Sequence, residues 1–279
     1  MPVVLALLGA LVYGTADFAG GIASRRAPAL AVVFCGQVAS LALLAVALIV
    51  LPGRPDAGSI GWGAAAGAVG GLSLLLFYRT LSLGSMTVVA PLTAVMSAVV
   101  PVVGGLASGE RPGALALVGV VLAIGAVVLV SAEGGRLPRA ATLKGPVVLG
   151  SLAAGTGFGL LFVLLSRTAP DSGFWPVLGA RGASLLLLGL VGVVARRSLV
   201  PRGAPVGLVL VAGLGDMTAN MLFVAASRLG LLSITGVLIA LYPAGTVLLA
   251  VLLLKERLAP AQLGVLALAS SGVALIALG

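Results

Sequence analysis

Long apolar runs make up most of the chain, and short polar or glycine-proline breaks separate them. The runs predict helices at 3–23, 29–51, 59–81, 86–107, 113–132, 145–167, 173–195, 204–227, 231–254 and 259–278. About twenty apolar residues cover the hydrocarbon core of a bilayer, and each run is near that length. The runs are apolar on every helical face, without the strict alternation of a barrel strand. Helices satisfy their own backbone groups in lipid, so the expected fold is all-α and polytopic. The breaks include Pro52-Gly53-Arg54-Pro55-Asp56, Glu133-Gly134-Gly135-Arg136, Asp171-Ser172 and Arg196-Arg197. Only tight turns, at Gly84-Ser85 and around Gly230, join the third span to the fourth and the eighth to the ninth.

The pattern also repeats. Phe77, Leu83, Gly84, Glu110 and Arg111 return 146 positions later as Phe223, Leu229, Gly230, Glu256 and Arg257. Upstream, Leu8-Gly9-Ala10-Leu11 and Gly14-Thr15 match Leu149-Gly150-Ser151-Leu152 and Gly155-Thr156, and Ser24 to Pro28 matches Ser166 to Pro170. The chain therefore divides into two five-helix units, 1–142 and 143–279, with a hinge near Glu133 to Lys144. Five is odd, so the second unit is expected to run opposite to the first, as inverted repeats do in secondary transporters.

Composition narrows the setting. Hydrophobic residues are 61% of the 279 and charged residues 8%, against about 25% charged in a soluble domain. The chain cannot cover a water-facing surface and belongs in a bilayer. Its net charge of +9 comes from basic residues scattered at span ends, where they meet headgroups, and not from a contiguous face for nucleic acid. Cys35, within an apolar span, is the single cysteine, and there is no histidine. An intrachain disulfide is thus excluded, and neither a metal nor a cofactor is implied. The first run carries Tyr13 and Asp17 without a basic leader region, so a retained span is expected. The basic residues favour loops one-to-two, five-to-six, seven-to-eight and nine-to-ten, which would place both termini outside.

Tyr13-Gly14-Thr15-Ala16-Asp17-Phe18, Phe77 to Gly84, and the repeated endings Gly109-Glu110-Arg111 and Lys255-Glu256-Arg257 carry a resemblance. They resemble the EamA-type members of the drug/metabolite transporter superfamily over nearly the whole chain. The resemblance implies ten spans in two repeats, a bacterial-type inner membrane, and gradient-coupled carriage of small metabolites, often export of amino acids. It also implies cytoplasmic termini, opposite to the charge bias. The chain departs from exporter relatives with aromatic-rich cavities, since Trp62 and Trp175 both lie near span ends.

The repeat supplies a sorting rule: a polar group inside one span and absent from its twin is a candidate for function. Asp17 has an apolar counterpart near Phe158, and Asp216 corresponds to Gly70. Carboxylates inside a span are costly, about 2.5–3.5 kcal/mol on insertion scales, and usually face a wet interior. Asp17 could bind a cationic group or a proton, or pair with Arg25 or Arg26. Asp216, with Asn220 one turn on, could carry a coupling proton or lock two helices through an arginine. Arg181, aligned with Gln37, could clamp a substrate carboxylate or serve as the standing counter-ion of either aspartate. Tyr13, Tyr78 and Tyr242 could line the cavity, while Arg79 suits snorkelling to the interface. Glu110-Arg111 and Glu256-Arg257 suit helix-end capping. Pro91, Pro101 and Pro243 could bend helices, and Gly63, Gly67, Gly70 and Gly71 suit close helix packing.

The expected function is a non-enzymatic secondary transporter. It would move a small polar metabolite, amino-acid-like or cationic, by alternating access, with proton-coupled export. Its partners would be the bilayer, the small-molecule substrate and protons. A membrane-embedded enzyme on lipid-linked substrates would need a cluster of catalytic groups, and a passive channel or structural subunit would show unsaturable flux.

Overall fold

The computed structural model describes residues 1–84, 86–130, 145–242, 268, 271–276 and 278. Among these, the regular elements are helices: α1 (Pro2–Ser24), α2 (Ala29–Val50), α3 (Ala57–Leu83), α4 (Met86–Ala107), α5 (Ala114–Val130), α6 (Gly145–Ser166), α7 (Trp175–Val194), α8 (Val206–Ser227) and α9 (Leu232–Ile239), with one 3-10 turn at Pro170–Ser172. The predicted spans that fall on these residues agree within a few positions. The hinge at 133–144, Pro243, Lys255-Glu256-Arg257 and most of the tenth span lie outside the described residues.

The breaks in the apolar pattern set the boundaries. Prolines start several helices: Pro2 opens α1, Pro176 lies in the first turn of α7, and Pro28 and Pro205 precede α2 and α8. Proline is favourable there because its missing N–H would be unsatisfied anyway. Asp56 caps α3, accepting from the Ser59 N–H at 2.7 Å. Hydrogen bonds from Ser59 hold the Asp56 carboxyl below the usual carboxylate range. α4 runs through Pro91 and Pro101 without interruption.

Among the described residues, six helices, α1, α2, α3, α6, α7 and α8, are long and apolar enough to cross a membrane; shorter apolar stretches lie at Leu92–Ala107 and Ala114–Ala126. Val121, Leu149, Leu186 and Val193 point outward and are largely exposed. Large apolar side chains all round such a bundle suit lipid tails, which solvate them as well as a protein core does. Buried small residues line the helix seams: Gly63 faces the Pro176 backbone, Gly67 that of Ala180, and Gly71 the side chain of Ser184. None of the three has room for a Cβ. The glycine row therefore brings α3 directly against α7, with both helices running the same way.

The principal packing joins helices of opposite halves: α1 with α8, α3 with α6 and α7, α2 with α8, and α4 with α6 and α9. Gly9 meets Leu222 while Gly215 meets Ala16, so α1 and α8 are antiparallel. Gly70 meets Leu161 and Gly150 meets Thr80, so α3 and α6 are antiparallel too. The same holds for α4 and α9. Glu110 accepts from the Leu232 and Ser233 N–H groups at 2.7 and 2.9 Å, Pro101 lies over Gly236, and the Tyr242 hydroxyl donates to the Ala90 carbonyl at 3.1 Å. Glu110 thus caps the start of α9, satisfying two of its free N–H groups.

Candidate functional site

A cavity of about 720 Å³, counting its open mouth, lies among α1, α3, α6, α7 and α8, with Gln37 of α2, Ser97 of α4 and Tyr242 also on its wall. Gly67, Gly70 and Gly71 present bare backbone to it, so the same row that seats α7 also leaves space beside it.

Helical spacing places its polar groups. Residues four apart share a helix face, which sets Tyr13 above Asp17 on α1 and Asp216 above Asn220 on α8. Across the cavity, Arg181 of α7 donates to Asp216 Oδ2 at 2.8 Å and lies 3.8 Å from the Met217 sulfur. Asn220 Nδ2 donates to the Asp216 carbonyl at 2.8 Å and to Oδ1 at 3.2 Å. Both carboxylate oxygens of Asp216 are therefore engaged. Of the roles open to Arg181, its geometry here is that of counter-ion to Asp216.

Asp17 is different. It is 7% exposed, lies on the cavity wall, and makes no hydrogen bond or ion pair among the described residues. Arg25 and Arg26 are exposed beyond the end of α1 and form no pair with it. Arg181 is paired with Asp216, so Asp17 is the acidic group of the wall without an ion-pair partner among the described residues. Two more lining groups lack partners: Gln37 Oε1 and Ser184 Oγ, both buried. Buried polar atoms without partners are uncommon and call for an account, such as a role in binding.

The three tyrosines divide. Tyr13 and Tyr242 line the cavity. Tyr78 sits behind it, in a smaller space shared with Gln37 and Asp216, and its hydroxyl donates to the Ala16 carbonyl at 3.4 Å. Phe158 and Phe162 of α6 complete an aromatic wall, with the Tyr13 and Phe162 ring centres 6.3 Å apart. The scarcity of aromatics expected from tryptophan positions does not hold for this cavity, because phenylalanine and tyrosine supply the rings. Trp175 instead donates from its indole N–H to the Gly53 carbonyl at 3.2 Å, fastening the loop before α3.

Asp17 and Phe158, Asp216 and Gly70, and Arg181 and Gln37 are matched positions of the two halves, and all six line this one cavity.

Residues 1–132 match the model of the EamA-like transporter family. The resemblance read from the Asp17, Phe77 and Glu110 motifs is borne out over that part of the chain. With its apolar helices, the chain is a multi-pass membrane protein whose first 132 residues are similar to EamA-like transporters. A solved crystal structure of another protein superposes with a TM-score of 0.75, covering 99% of this chain and 98% of that one at 18% identity. At that identity the likeness speaks for the shared fold. No curated protein matches this chain by sequence.

Gln37, Phe158 and Gly70 were legible only as twins of charged residues, and reading both members of each mismatched pair would have found them. Ser184 and Phe162 carried no such signal. On a helix apolar all round, a phenylalanine facing a cavity looks like one facing lipid.

Proposed function

We propose that the protein is a secondary active transporter. It carries a small polar metabolite with a cationic group, amino-acid-like or purely cationic, through the cavity by alternating access. Proton entry drives export across a bacterial-type inner membrane. The observation that carries this reading is the convergence on one cavity of the positions where the two halves differ in charge. A scaffold repeated by duplication needs no such differences, whereas a binding site at the interface of repeats does.

In this reading the halves are inverted repeats that rock about the site. Support comes from α4 and its sequence counterpart α9, which run in opposite directions while packed together, and from the exchange of partners between halves. Asp17 takes the cation of the substrate or the coupling proton, one at a time, which links their movements. Asp216, Arg181 and Asn220 form a fixed polar girder between α7 and α8 that shapes the pocket. Tyr13 and Tyr242 lie on the wall with Asp17, while Tyr78 braces α1 from behind.

The test is a metabolite screen in proteoliposomes with and without a pH gradient, repeated for Asp17→Asn. Saturable flux that follows the gradient in the parent and is uncoupled or lost in the variant supports the reading. Unsaturable flux, or an unchanged proton dependence in Asp17→Asn, overturns it.

A further inference from the structure

We infer that the cavity selects a protonated primary or secondary amine that carries no carboxylate, in preference to a zwitterionic amino acid. The inference rests on the transport reading for its setting and specifies the cargo.

Charge comes first. A zwitterion brings a carboxylate as well as an ammonium, and Arg181 is the cation of the lining that would meet it. Its guanidinium is bound to Asp216 at 2.8 Å, so a substrate carboxylate drawn to Arg181 would sit beside Asp216 and share a cavity with Asp17. Like charges held together away from water repel strongly. An ammonium meets the reverse situation, since the Asp17 carboxyl is the acidic group of the lining that no described cation pairs, and an ammonium beside it would supply that partner.

The polarity of the unpartnered groups comes second. The Asp17 carboxyl and Gln37 Oε1 can both accept hydrogen bonds, and neither receives one among the described residues. Each would be satisfied by N–H donors on the ligand. A quaternary ammonium brings the charge without the donors and leaves the Gln37 oxygen unpaired, which is the costly outcome for a buried acceptor.

The remaining wall is apolar. Phe158, Leu161, Phe162, Leu165 and Val177 offer a hydrophobic and aromatic surface for the body of the amine.

The experiment is calorimetric titration of the full chain in lipid nanodiscs with four probes of one body. These are 2-phenylethylamine, its N,N,N-trimethyl analogue, phenylalanine and 3-phenylpropionate. The expected order places 2-phenylethylamine first and the trimethyl compound about tenfold weaker, with phenylalanine and 3-phenylpropionate about a hundredfold weaker or undetectable. Asp17→Asn weakens 2-phenylethylamine by about ten- to a hundredfold. Gln37→Met retains ammonium binding and abolishes the preference for 2-phenylethylamine over the trimethyl compound, a selectivity change that a merely structural defect would not produce. The inference is overturned if phenylalanine or the trimethyl compound binds as tightly as 2-phenylethylamine, or if 2-phenylethylamine does not bind. Selective amine binding without gradient-driven flux would sink the transport reading and leave the amine site standing. Gradient-driven flux of a zwitterion that depends on Arg181 would do the opposite.

Discussion

Arg181 and Asp216 tie α7 to α8 through a 2.8 Å ion pair, and the positions that match them in the first half hold Gln37 and Gly70. The pair is thus a property of one half only. Its side chains are 6% and 15% exposed, so solvent screens the pair little and removal of either partner strands the other. Breaking a buried pair from one side costs about 3–5 kcal/mol. Arg181→Gln and Asp216→Gly are each expected to lower unfolding stability in detergent by about 3 kcal/mol, and the double variant by less than their sum. Additive losses in a double-mutant cycle would show that the two side chains do not act together.

Asp17 predicts the opposite sign. With no partner among the described residues, its carboxylate carries a desolvation cost that Asn does not. Asp17→Asn should therefore unfold at the same temperature as the parent or higher, by an amount equivalent to about 1 kcal/mol or more. A clear loss of stability would mean that Asp17 serves the fold.

The glycine row offers an internal control within α3. A Cβ at Gly67 would collide with the Ala180 backbone, whereas one at Gly61 meets nothing. Gly67→Ala should push α3 from α7, lose about 1–3 kcal/mol and narrow the cavity. Gly61→Ala should be neutral or stabilise by up to about 1 kcal/mol through helix propensity. Thermal unfolding of the two variants side by side decides it; equal effects would contradict the close α3–α7 seam.

Glu110 holds two N–H groups at the start of α9 from the end of α4. Glu110→Ala should cost about 1–2 kcal/mol, and Glu110→Gln, which keeps one acceptor, noticeably less. Hydrogen exchange at Leu232 and Ser233 should accelerate in both, more in the alanine variant. Unchanged exchange there would show that the cap is not formed.

The capping role expected for Glu110 was legible in the sequence, because a charged residue repeated at the end of two apolar spans has few other uses. The helix that it caps was not: Glu110 lies 122 residues from Leu232, and only packing brings them together. The alternatives for Asp17 and Asp216 were likewise symmetrical on paper. Each was a carboxylate inside a span with an arginine within plausible reach, and sequence spacing cannot rank partners on different helices.

Apolar length by itself marked the spans that fall on the described residues and the bilayer setting, because hydrocarbon thickness and backbone hydrogen bonding leave a chain of this composition few other solutions. Comparing the halves also singled out the charged positions. Tertiary structure alone decided which carboxylate is matched and which is free, and which phenylalanines face the cavity. Helices that are greasy on every side carry no mark of their inward face, so rotation and partner are set by the fit of small residues across the seams.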